Sequence, residues 1–387
     1  MIDPVGMSFV SRSDGRRYPV TVRQYAGDDG GLLDLEFEPR FPQELIAARP
    51  PGMWRYREAI PVLRDEAIVS FGEGFTPIVP VDIAGTTVLV KQEHLFPSGS
   101  YKDRGASVLI SHARSIGVER VVEDSSGNAG SAIAAYCARA GIECEIYVPA
   151  DTSPGKLTQI RSYGARLHLV HGTREDTSTA VRRAAGSVYY ASHSYNPFFF
   201  HGTKTFAFEV CEQLGWRPPD AVILPAGNGT LLIGAALGFS ELRRAKVIET
   251  IPAIHAVQAA RCAPLATAYA AGRSMVTDAS GVWLAGAPDT TEWSVPTIAE
   301  GIAIASPVRG NQIMEVVRES GGSFVTVDEQ AIEDAHRDLS SRGFCIEPTS
   351  AATIAAVPEV CGRYSKDSVI VTLFSGHGLK SPEKLPS

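Results

Sequence analysis

The sequence lacks the cysteine pairs that mark disulfide frameworks and zinc sites. Its six cysteines are spread over 387 residues, and no two of them form a C-x-x-C pair. Scattered thiols of this kind are typical of reduced and mostly buried side chains. The sequence therefore predicts neither a disulfide framework nor a metal site.

Clusters of positive charge are also missing. The chain has 36 Lys and Arg against 43 Asp and Glu, a formal net charge of -7, and no basic run interleaved with aromatic residues. This balance excludes the electrostatic footprint of a nucleic-acid-binding protein. Hydrophobic residues make up 44% and charged residues 20% of the chain, which is typical of a folded globular protein.

The sequence carries little that would direct it to a membrane. Its first twenty residues have no apolar segment behind a positive flank, so we expect a cytoplasmic protein. One uncharged stretch, residues 221–240, is long enough to span a bilayer, but Pro225, Gly227 and Gly229 interrupt it. This stretch predicts a buried strand, a glycine loop and a buried helix, without contact to a membrane.

Nearly apolar strands alternate with helical patterns from about residue 118 onward. Among the strands are RVVEDSS, ECEIYVP, DAVILPA and SVIVTLFSG, and among the helices are AGSAIAAYCARAG and TLLIGAALGFSELRR. This alternation is typical of βαβ units, and apolar strands are buried on both faces of a parallel sheet. Two such series predict an α/β fold of two three-layer α/β domains with mostly parallel sheets. We expect residues 1–107 plus 206–387 to form a large cofactor-binding domain and residues 108–205 a smaller α/β domain.

Glycine-rich turns follow three of the predicted strands, at the strand ends where open parallel sheets bind ligands. The turns are SSGNAGSA (125–132), PAGNGTLL (225–232) and LFSGHG (373–378). The first two open helices, whose backbone N–H groups and dipole favour an anion. None has the spacing of a P-loop or of a G-x-G-x-x-G dinucleotide motif, which excludes those nucleotide sites.

A further small-residue stretch, SGSYKDRGA (98–106), places a single lysine directly before a helical pattern. Lys102 is accompanied by an asparagine in the first glycine turn, a glycine-rich anion loop in the second and a hydroxyl at the last strand. These groups suit a cofactor that is an aldehyde carrying a phosphate.

The motifs stand in the order and spacing of a known family. They include GMWRYREAIP, SFGEGFTPIVP, KQEHLFPSGSYKDRGA, NPFFFHGTKTFAFEV, IEPTSAA and SGHGLKSP, and they cover nearly the whole chain from about residue 30. The chain resembles the fold-type II pyridoxal phosphate enzymes of the tryptophan synthase beta-like superfamily, and within them the threonine synthases. The resemblance implies pyridoxal 5'-phosphate in the cleft between the two domains and a small amino acid as substrate. It is also compatible with a homodimer.

The resemblance also implies roles for individual residues. Lys102 would bind the cofactor as a Schiff base and take the Cα proton of the substrate, Asn128 would bind the pyridoxal 3'-oxygen, and Ser375 would face the pyridine nitrogen. The cofactor phosphate would be held by Gly227, Asn228, Gly229 and Thr230. The implied substrate contacts are Ser98, Ser100, Ser125, Ser126, Ala129, Ser194 and Phe199. Because serine is neutral, we expect a weakly protonated pyridine nitrogen, which favours elimination and replacement over transamination.

The sequence departs from the threonine synthase pattern at the segment NPFFFHGTKT. Relatives carry an arginine where this chain has Phe199, a glutamine in place of Thr203 and an acidic residue in place of His201. The arginine helps to bind the phosphate of O-phosphohomoserine, and phosphate recognition depends on such bidentate cations. Phe199 therefore makes the predicted pocket more apolar. The sequence does not decide whether the substrate carries a phosphate.

Several functions remain consistent with the sequence. The first is the γ-elimination and replacement of threonine synthase, from phosphohomoserine to threonine and phosphate. The second is β-replacement on an activated serine such as O-phosphoserine or O-acetylserine, and the third is a serine/threonine ammonia-lyase. A non-enzymatic alternative is a regulator that binds the cofactor or an amino acid.

Overall fold

The computed structural model describes residues 6–152, 154–172, 174–278, 281–284 and 296–386. The chain divides into two compact units. Unit 1 comprises Met1–Phe75 and Lys102–Thr205, and unit 2 comprises Thr76–Tyr101 and Phe206–Ser387. Within the described ranges, no helix has the length and apolarity needed to cross a membrane.

The secondary structure alternates as the sequence predicts. In chain order the strands are β1 (Ser8–Ser11), β2 (Arg17–Tyr18), β3 (Leu33–Glu36), β4 (Ile78–Ile83), β5 (Thr86–Lys91), β6 (Arg120–Glu123), β7 (Glu143–Pro149), β8 (Arg166–Val170), β9 (Tyr189–Tyr190), β10 (Ala221–Pro225), β11 (Ala253–Ala259), β12 (Met275–Asp278), β13 (Gly281–Leu284), β14 (Phe324–Val327) and β15 (Ile370–Leu373). The α-helices are α1 (Gln43–Ala48), α2 (Lys102–Ser115), α3 (Asn128–Ala140), α4 (Pro154–Ser162), α5 (Arg174–Ala184), α6 (Pro197–Thr203), α7 (Thr205–Gln213), α8 (Thr230–Arg244), α9 (Pro264–Ala270), α10 (Gly310–Glu319), α11 (Glu329–Ser341), α12 (Pro348–Ala355) and α13 (Val357–Cys361).

Unit 1 is built on a parallel sheet with the strand order β8-β7-β6-β9. Helix α3 packs against β7 and against α2, through a run of small buried residues that lets the helices approach each other. Gly141 ends α3 in the left-handed conformation, with φ of 70°, and its N–H donates to the carbonyl oxygen of Ala138. The alternation of short strands and helices therefore produces the predicted βαβ units.

Unit 2 contains a six-stranded sheet with the order β14-β11-β10-β15-β5-β4. Its neighbouring strands are parallel except for the edge pair β4 and β5, which is antiparallel. Every residue of β10 is buried, so both faces of the sheet are covered. These two sheets confirm the predicted α/β fold with mostly parallel strands, and residues 221–240 form β10, a loop and the start of α8 as expected.

Residues of the N-terminal sheet β2-β1-β3 pack onto other parts of unit 1. The ring of Phe9 contacts that of Phe198 edge-on, with 5.7 Å between the ring centroids. The carbonyl oxygen of Val20 lies 2.7 Å from Nε2 of His112, which is buried in α2. Contacts of this kind group residues 1–75 with residues 102–205. The predicted domains, residues 1–107 plus 206–387 and residues 108–205, share the boundary near residue 205 with these units and remain a prediction.

Candidate active site

Lys102 is the first residue of α2, and its side chain is half-buried. Helix α2 crosses α6 so closely that two glycines are needed at the crossing. A Cβ on Gly105 would overlap the ring of Phe199, and one on Gly202 would overlap the carbonyl oxygen of Arg104. The crossing leaves Nζ of Lys102 5.9 Å from the ring centroid of Phe199, within the range of a cation–π interaction. Unit 1 thus brings these two predicted site residues together.

The position of Phe199 follows from how α6 begins. Asn196 caps the helix, because its side-chain oxygen accepts a hydrogen bond from the N–H of Phe198 at 3.1 Å. The amide of Asn196 also donates to the hydroxyl of Tyr189 at 2.8 Å. Phe199 itself is fully buried. Ser194, predicted to contact substrate, is buried in the turn just before the cap.

The loop between β6 and α3 contains Ser125 and Ser126, two of the five predicted substrate contacts of unit 1, and Ala129 follows in the first turn of α3. Gly130 lets the loop fold back onto the helix, because a Cβ there would overlap the carbonyl oxygen of Ser125. The N–H groups of Ser126 and Ala129 donate to no other described residue. Two such donors at the start of a 13-residue helix fit a carboxylate.

A buried acid–histidine pair stands at the end of β6, directly before this loop. Nδ1 of His193 lies 2.5 Å from Oε1 of Glu123, and burial raises the pKa of that carboxyl group well above its usual value. The ring of His193 meets the ring of Phe199 edge-on at 6.1 Å. Ligand atoms of Glu123, Asp124 and His193 all lie within 4.8 Å of one another, as they would around a metal ion. The absence of a metal site remains a prediction.

The predicted phosphate loop of unit 2 lies between the end of β10 and the start of α8. Gly229 has φ of 70°, and a Cβ there would overlap the side chain of Ile313, so only glycine fits. The N–H groups of Gly227 and Gly229 donate to no residue in the described ranges. The hydroxyl of Thr230 lies 3.0 Å from that of Tyr101. Free N–H groups at the start of a 15-residue helix, next to a hydroxyl, fit a phosphate.

Ser375 lies just beyond the end of β15 and is fully buried. Its hydroxyl donates to Oε1 of Glu347 at 2.7 Å, and its Oγ lies 3.1 Å from Oγ of Ser350. The neighbouring Gly376 makes room for this arrangement, because a Cβ there would overlap the carboxylate of Glu347. The backbone carbonyl of Ser375 accepts a hydrogen bond from the N–H of Tyr101 at 3.1 Å.

The segment before Lys102 also belongs to this part of unit 2. Ser100 pairs with Gly376 in an isolated antiparallel bridge. The carbonyl oxygen of Ser98 accepts a hydrogen bond from Nζ of Lys380 at 2.8 Å. Oγ of Ser100 is buried without a hydrogen-bond partner among the described residues. Buried hydroxyls normally have a partner, so this atom suits a bound ligand.

The donor chemistry of each unit fits parts of pyridoxal phosphate and of an amino acid. Unit 1 supplies a half-buried amine at Lys102, the amide of Asn128 and N–H groups for a carboxylate. Unit 2 supplies N–H groups for a phosphate and the buried hydroxyl of Ser375. The individual roles of these residues remain predictions.

Comparison with known proteins identifies the family. The model of the family described as "Pyridoxal-phosphate dependent enzyme" matches residues 69–376, most of the chain. The chain belongs to this family. It is 34% identical to a threonine synthase of Methanocaldococcus jannaschii over 95% of this chain and 92% of the relative. It is 31% identical to a threonine synthase of Methanosarcina acetivorans over 91% of this chain and 87% of the relative.

A solved structure shows the same fold. Maize serine racemase aligns with a TM-score of 0.65 at 22% identity, over 85% of this chain and 94% of that chain. Family membership and these relatives confirm the predicted enzyme, which uses pyridoxal phosphate and is similar to threonine synthases.

Sequence reasoning missed several residues that surround the predicted site residues. Glu347 occurs in the motif IEPTSAA, but no local pattern connects it with Ser375. Glu123 and His193 lie on different segments and were not paired. In the sequence, Glu123 lies next to the first glycine turn and His193 lies near Phe199, which is a weak signal that both are close to the predicted site. No pattern in the sequence connects Tyr101 with Thr230, whose hydroxyl it contacts.

Proposed function

We propose that this chain is a pyridoxal-phosphate enzyme of amino-acid metabolism that eliminates or replaces a group at Cβ or Cγ of its substrate. The reaction proposed first is that of threonine synthase, from O-phosphohomoserine and water to threonine and phosphate. The observation that carries the proposal is the half-buried Lys102 at the start of α2, in a chain that aligns with a threonine synthase over 95% of its length.

Residues of unit 1 would bind and deprotonate the substrate. Pyridoxal phosphate, when bound, supplies an electron sink that stabilises a carbanion at the substrate Cα. The N–H groups of Ser126 and Ala129 would hold the substrate carboxylate at the positive end of α3. Lys102 would hold the cofactor aldehyde carbon and afterwards take the Cα proton as general base. Asn128 would bind the 3'-oxygen of the cofactor.

Residues of unit 2 would hold the cofactor at its phosphate and at its ring. The N–H groups of Gly227 and Gly229, with the hydroxyl of Thr230, would bind the phosphate. The hydrogen bond between Thr230 and Tyr101 orients that hydroxyl. Ser375 would face the ring nitrogen.

A second candidate function is β-replacement on an activated serine such as O-acetylserine. Phe199 favours it, because a fully buried phenyl ring stands where threonine synthases carry a phosphate-binding arginine. An apolar surface cannot compensate the charge of a phosphate leaving group, but it can accept an uncharged acyl group.

The binding of the cofactor is tested first. Purified protein supplied with pyridoxal phosphate should show the visible absorption band of the lysine-bound cofactor, and Lys102→Ala should lose both the band and the activity. Lys366 is exposed on unit 2, so Lys366→Ala serves as the control and should keep both. A wild-type protein that remains colourless and takes up no cofactor would refute the proposal.

The reaction is then tested with a panel of O-phosphohomoserine, O-phosphoserine, O-acetylserine, serine and threonine. Threonine and phosphate from the first substrate support the threonine synthase reaction. A new amino acid formed from either serine ester supports β-replacement, and ammonia with a 2-oxo acid would identify an ammonia-lyase. The homodimer and the cytoplasmic location stay predictions, which size-exclusion chromatography and cell fractionation test.

A further inference from the structure

We propose that Glu347 sets the proton state of the cofactor ring nitrogen by fixing the direction of the Ser375 hydroxyl, so that this chain binds a protonated ring. The inference rests on the proposed function, in which Ser375 faces that nitrogen. Glu347 acts through Ser375 and is therefore a positioning residue.

The first step is the proton of Ser375. A serine hydroxyl has one proton to donate and two lone pairs with which it can accept. Oγ of Ser375 lies 2.7 Å from Oε1 of Glu347. A carboxylate can only accept hydrogen bonds, so the Ser375 proton points at Glu347.

The second step is the neighbour that occupies one lone pair. Oγ of Ser350 accepts hydrogen bonds from the N–H groups of Ser375 at 2.8 Å and of Gly376 at 3.4 Å. It also lies 3.1 Å from Oγ of Ser375. Because the Ser375 proton is directed to Glu347, Ser350 has to be the donor in this pair. One lone pair of Ser375 remains, and any third group that meets it must be a donor.

The third step is the packing that holds the network in this direction. Ser350 and Ser375 are fully buried, and Glu347 is 9% exposed. The backbone N–H of Glu347 donates to the carbonyl oxygen of Gly376 at 2.9 Å. A Cβ on Gly376 would overlap the Glu347 carboxylate, so the glycine allows this close approach. Backbone hydrogen bonds therefore fix Glu347 at one end of the network and the Ser350 hydroxyl at the other.

The remaining lone pair distinguishes the two forms of a pyridine ring. A protonated ring nitrogen is a donor and matches the lone pair, whereas a bare nitrogen is an acceptor and would face a second acceptor. A neutral serine alone suggests a weakly protonated ring, but the Glu347–Ser375 pair reverses that expectation and gives a stronger electron sink.

The test measures the ring nitrogen directly. The full chain is reconstituted with pyridoxal phosphate labelled with nitrogen-15 in the ring, and the nitrogen-15 chemical shift and the cofactor dissociation constant are recorded. We expect the wild type to show the protonated ring. Glu347→Met, Glu347→Ala and Ser375→Ala should move the shift towards the bare ring and weaken cofactor binding about tenfold, as the loss of one buried hydrogen bond would.

Thr353→Val is the matched control. Thr353 is buried in α12, the helix that begins directly after Glu347, and its hydroxyl donates to the carbonyl oxygen of Thr349 at 3.1 Å. Its removal should leave the nitrogen-15 shift and the dissociation constant at their wild-type values. Glu347→Met removes both acceptor oxygens and keeps nearly the length of the side chain, so the comparison does not depend on whether Glu347→Ala folds.

The failure of this inference differs from the failure of the proposed function. A bare ring nitrogen in wild-type protein that binds the cofactor through Lys102 would overturn the inference and leave the proposed function standing. An unchanged shift in Glu347→Met would do the same. A chain that takes up no pyridoxal phosphate would overturn both.

Discussion

At the scale of single residues, Phe199 carries the proposal about the substrate. The phenyl ring of Phe199 is fully buried and packs onto the backbone of Gly105, beside the amine of Lys102. A ring in this position can exclude water and accept an uncharged group, but it offers no charge to a phosphate. We therefore propose that this side chain selects the leaving group.

The substitution Phe199→Arg tests this reading. We expect the ratio of kcat/KM for O-phosphoserine to kcat/KM for O-acetylserine to rise by about tenfold, because a guanidinium group can donate two hydrogen bonds to the oxygens of one phosphate. The melting temperature should fall, because the new charge enters an apolar environment, and inorganic phosphate should restore part of it. Phe199→Leu is the control and should keep the wild-type ratio. An unchanged ratio in a folded Phe199→Arg protein would show that this position does not select the leaving group.

Residues differ in how far sequence could assign them. Lys102 and Asn128 can be predicted as site residues, because each stands in a glycine-rich stretch that matches a family motif, and their roles stay predictions. Glu347 was not, because its relation to Ser375 arises only when α12 packs next to the end of β15. A contact between distant segments leaves no periodic pattern in the chain, so its chemistry appears only in three dimensions.

At the scale of elements, the pattern of the sequence was informative where strands and helices are long. Helices such as α8 and strands such as β10 have the length and apolarity that their patterns indicate. The short helix α6 carries no amphipathic pattern, because all seven of its residues are buried. Strands β1 and β2, of four and two residues, are likewise too short for periodicity to reveal them.

The loop before α3 provides a prediction at this scale. In an ordinary helix, Gly→Ala is favourable by about 1 kcal/mol. At Gly130, however, the new Cβ would overlap the Ser125 carbonyl oxygen, and relieving such overpacking costs about 1–3 kcal/mol. We therefore expect Gly130→Ala to displace the loop and to raise KM for the amino-acid substrate by about tenfold, measured by steady-state kinetics.

Gly127→Ala is the matched control for Gly130→Ala. Gly127 lies in the same loop, has φ of -104° and has open space where its Cβ would stand. We expect it to keep a KM near the wild-type value. Equal KM values for both variants would mean that the loop does not hold the substrate carboxylate.

At the scale of the whole molecule, the alternation of strand and helix patterns predicted the fold class, but it does not indicate why residues 1–75 group with residues 102–205. Residues 1–75 belong to unit 1 because of particular contacts, such as those of Phe9 with Phe198 and of Val20 with His112. No change in composition marks this grouping. Several histidines are also buried in the molecule, among them His94, His112 and His255.

These histidines make the stability of the molecule sensitive to acid. Burial lowers the pKa of His112 to about 4, and burial with a neighbouring cation lowers the pKa of His255 to about 4. Burial, together with the neighbouring His377, also lowers the pKa of His94 to about 4. In the unfolded chain such groups bind a proton near pH 6.5, so the unfolded state binds more protons between about pH 6.5 and about pH 4. Stability is therefore lost as the pH falls through this window.

His112 offers the sharpest test of this acid sensitivity, because it is fully buried, with its ring stacked on Phe198 at a centroid distance of 3.7 Å. Its lowered pKa should contribute about 3 kcal/mol to the stability lost between pH 6.5 and pH 4. We expect His112→Gln to be less stable at neutral pH, because it loses the stacked ring, but to show a smaller loss of stability on acidification. Urea unfolding at a series of pH values measures this slope, with the exposed His171→Gln as the control that should keep the wild-type slope. If His112→Gln loses as much stability as the wild type over this range, the acid sensitivity does not arise from this histidine.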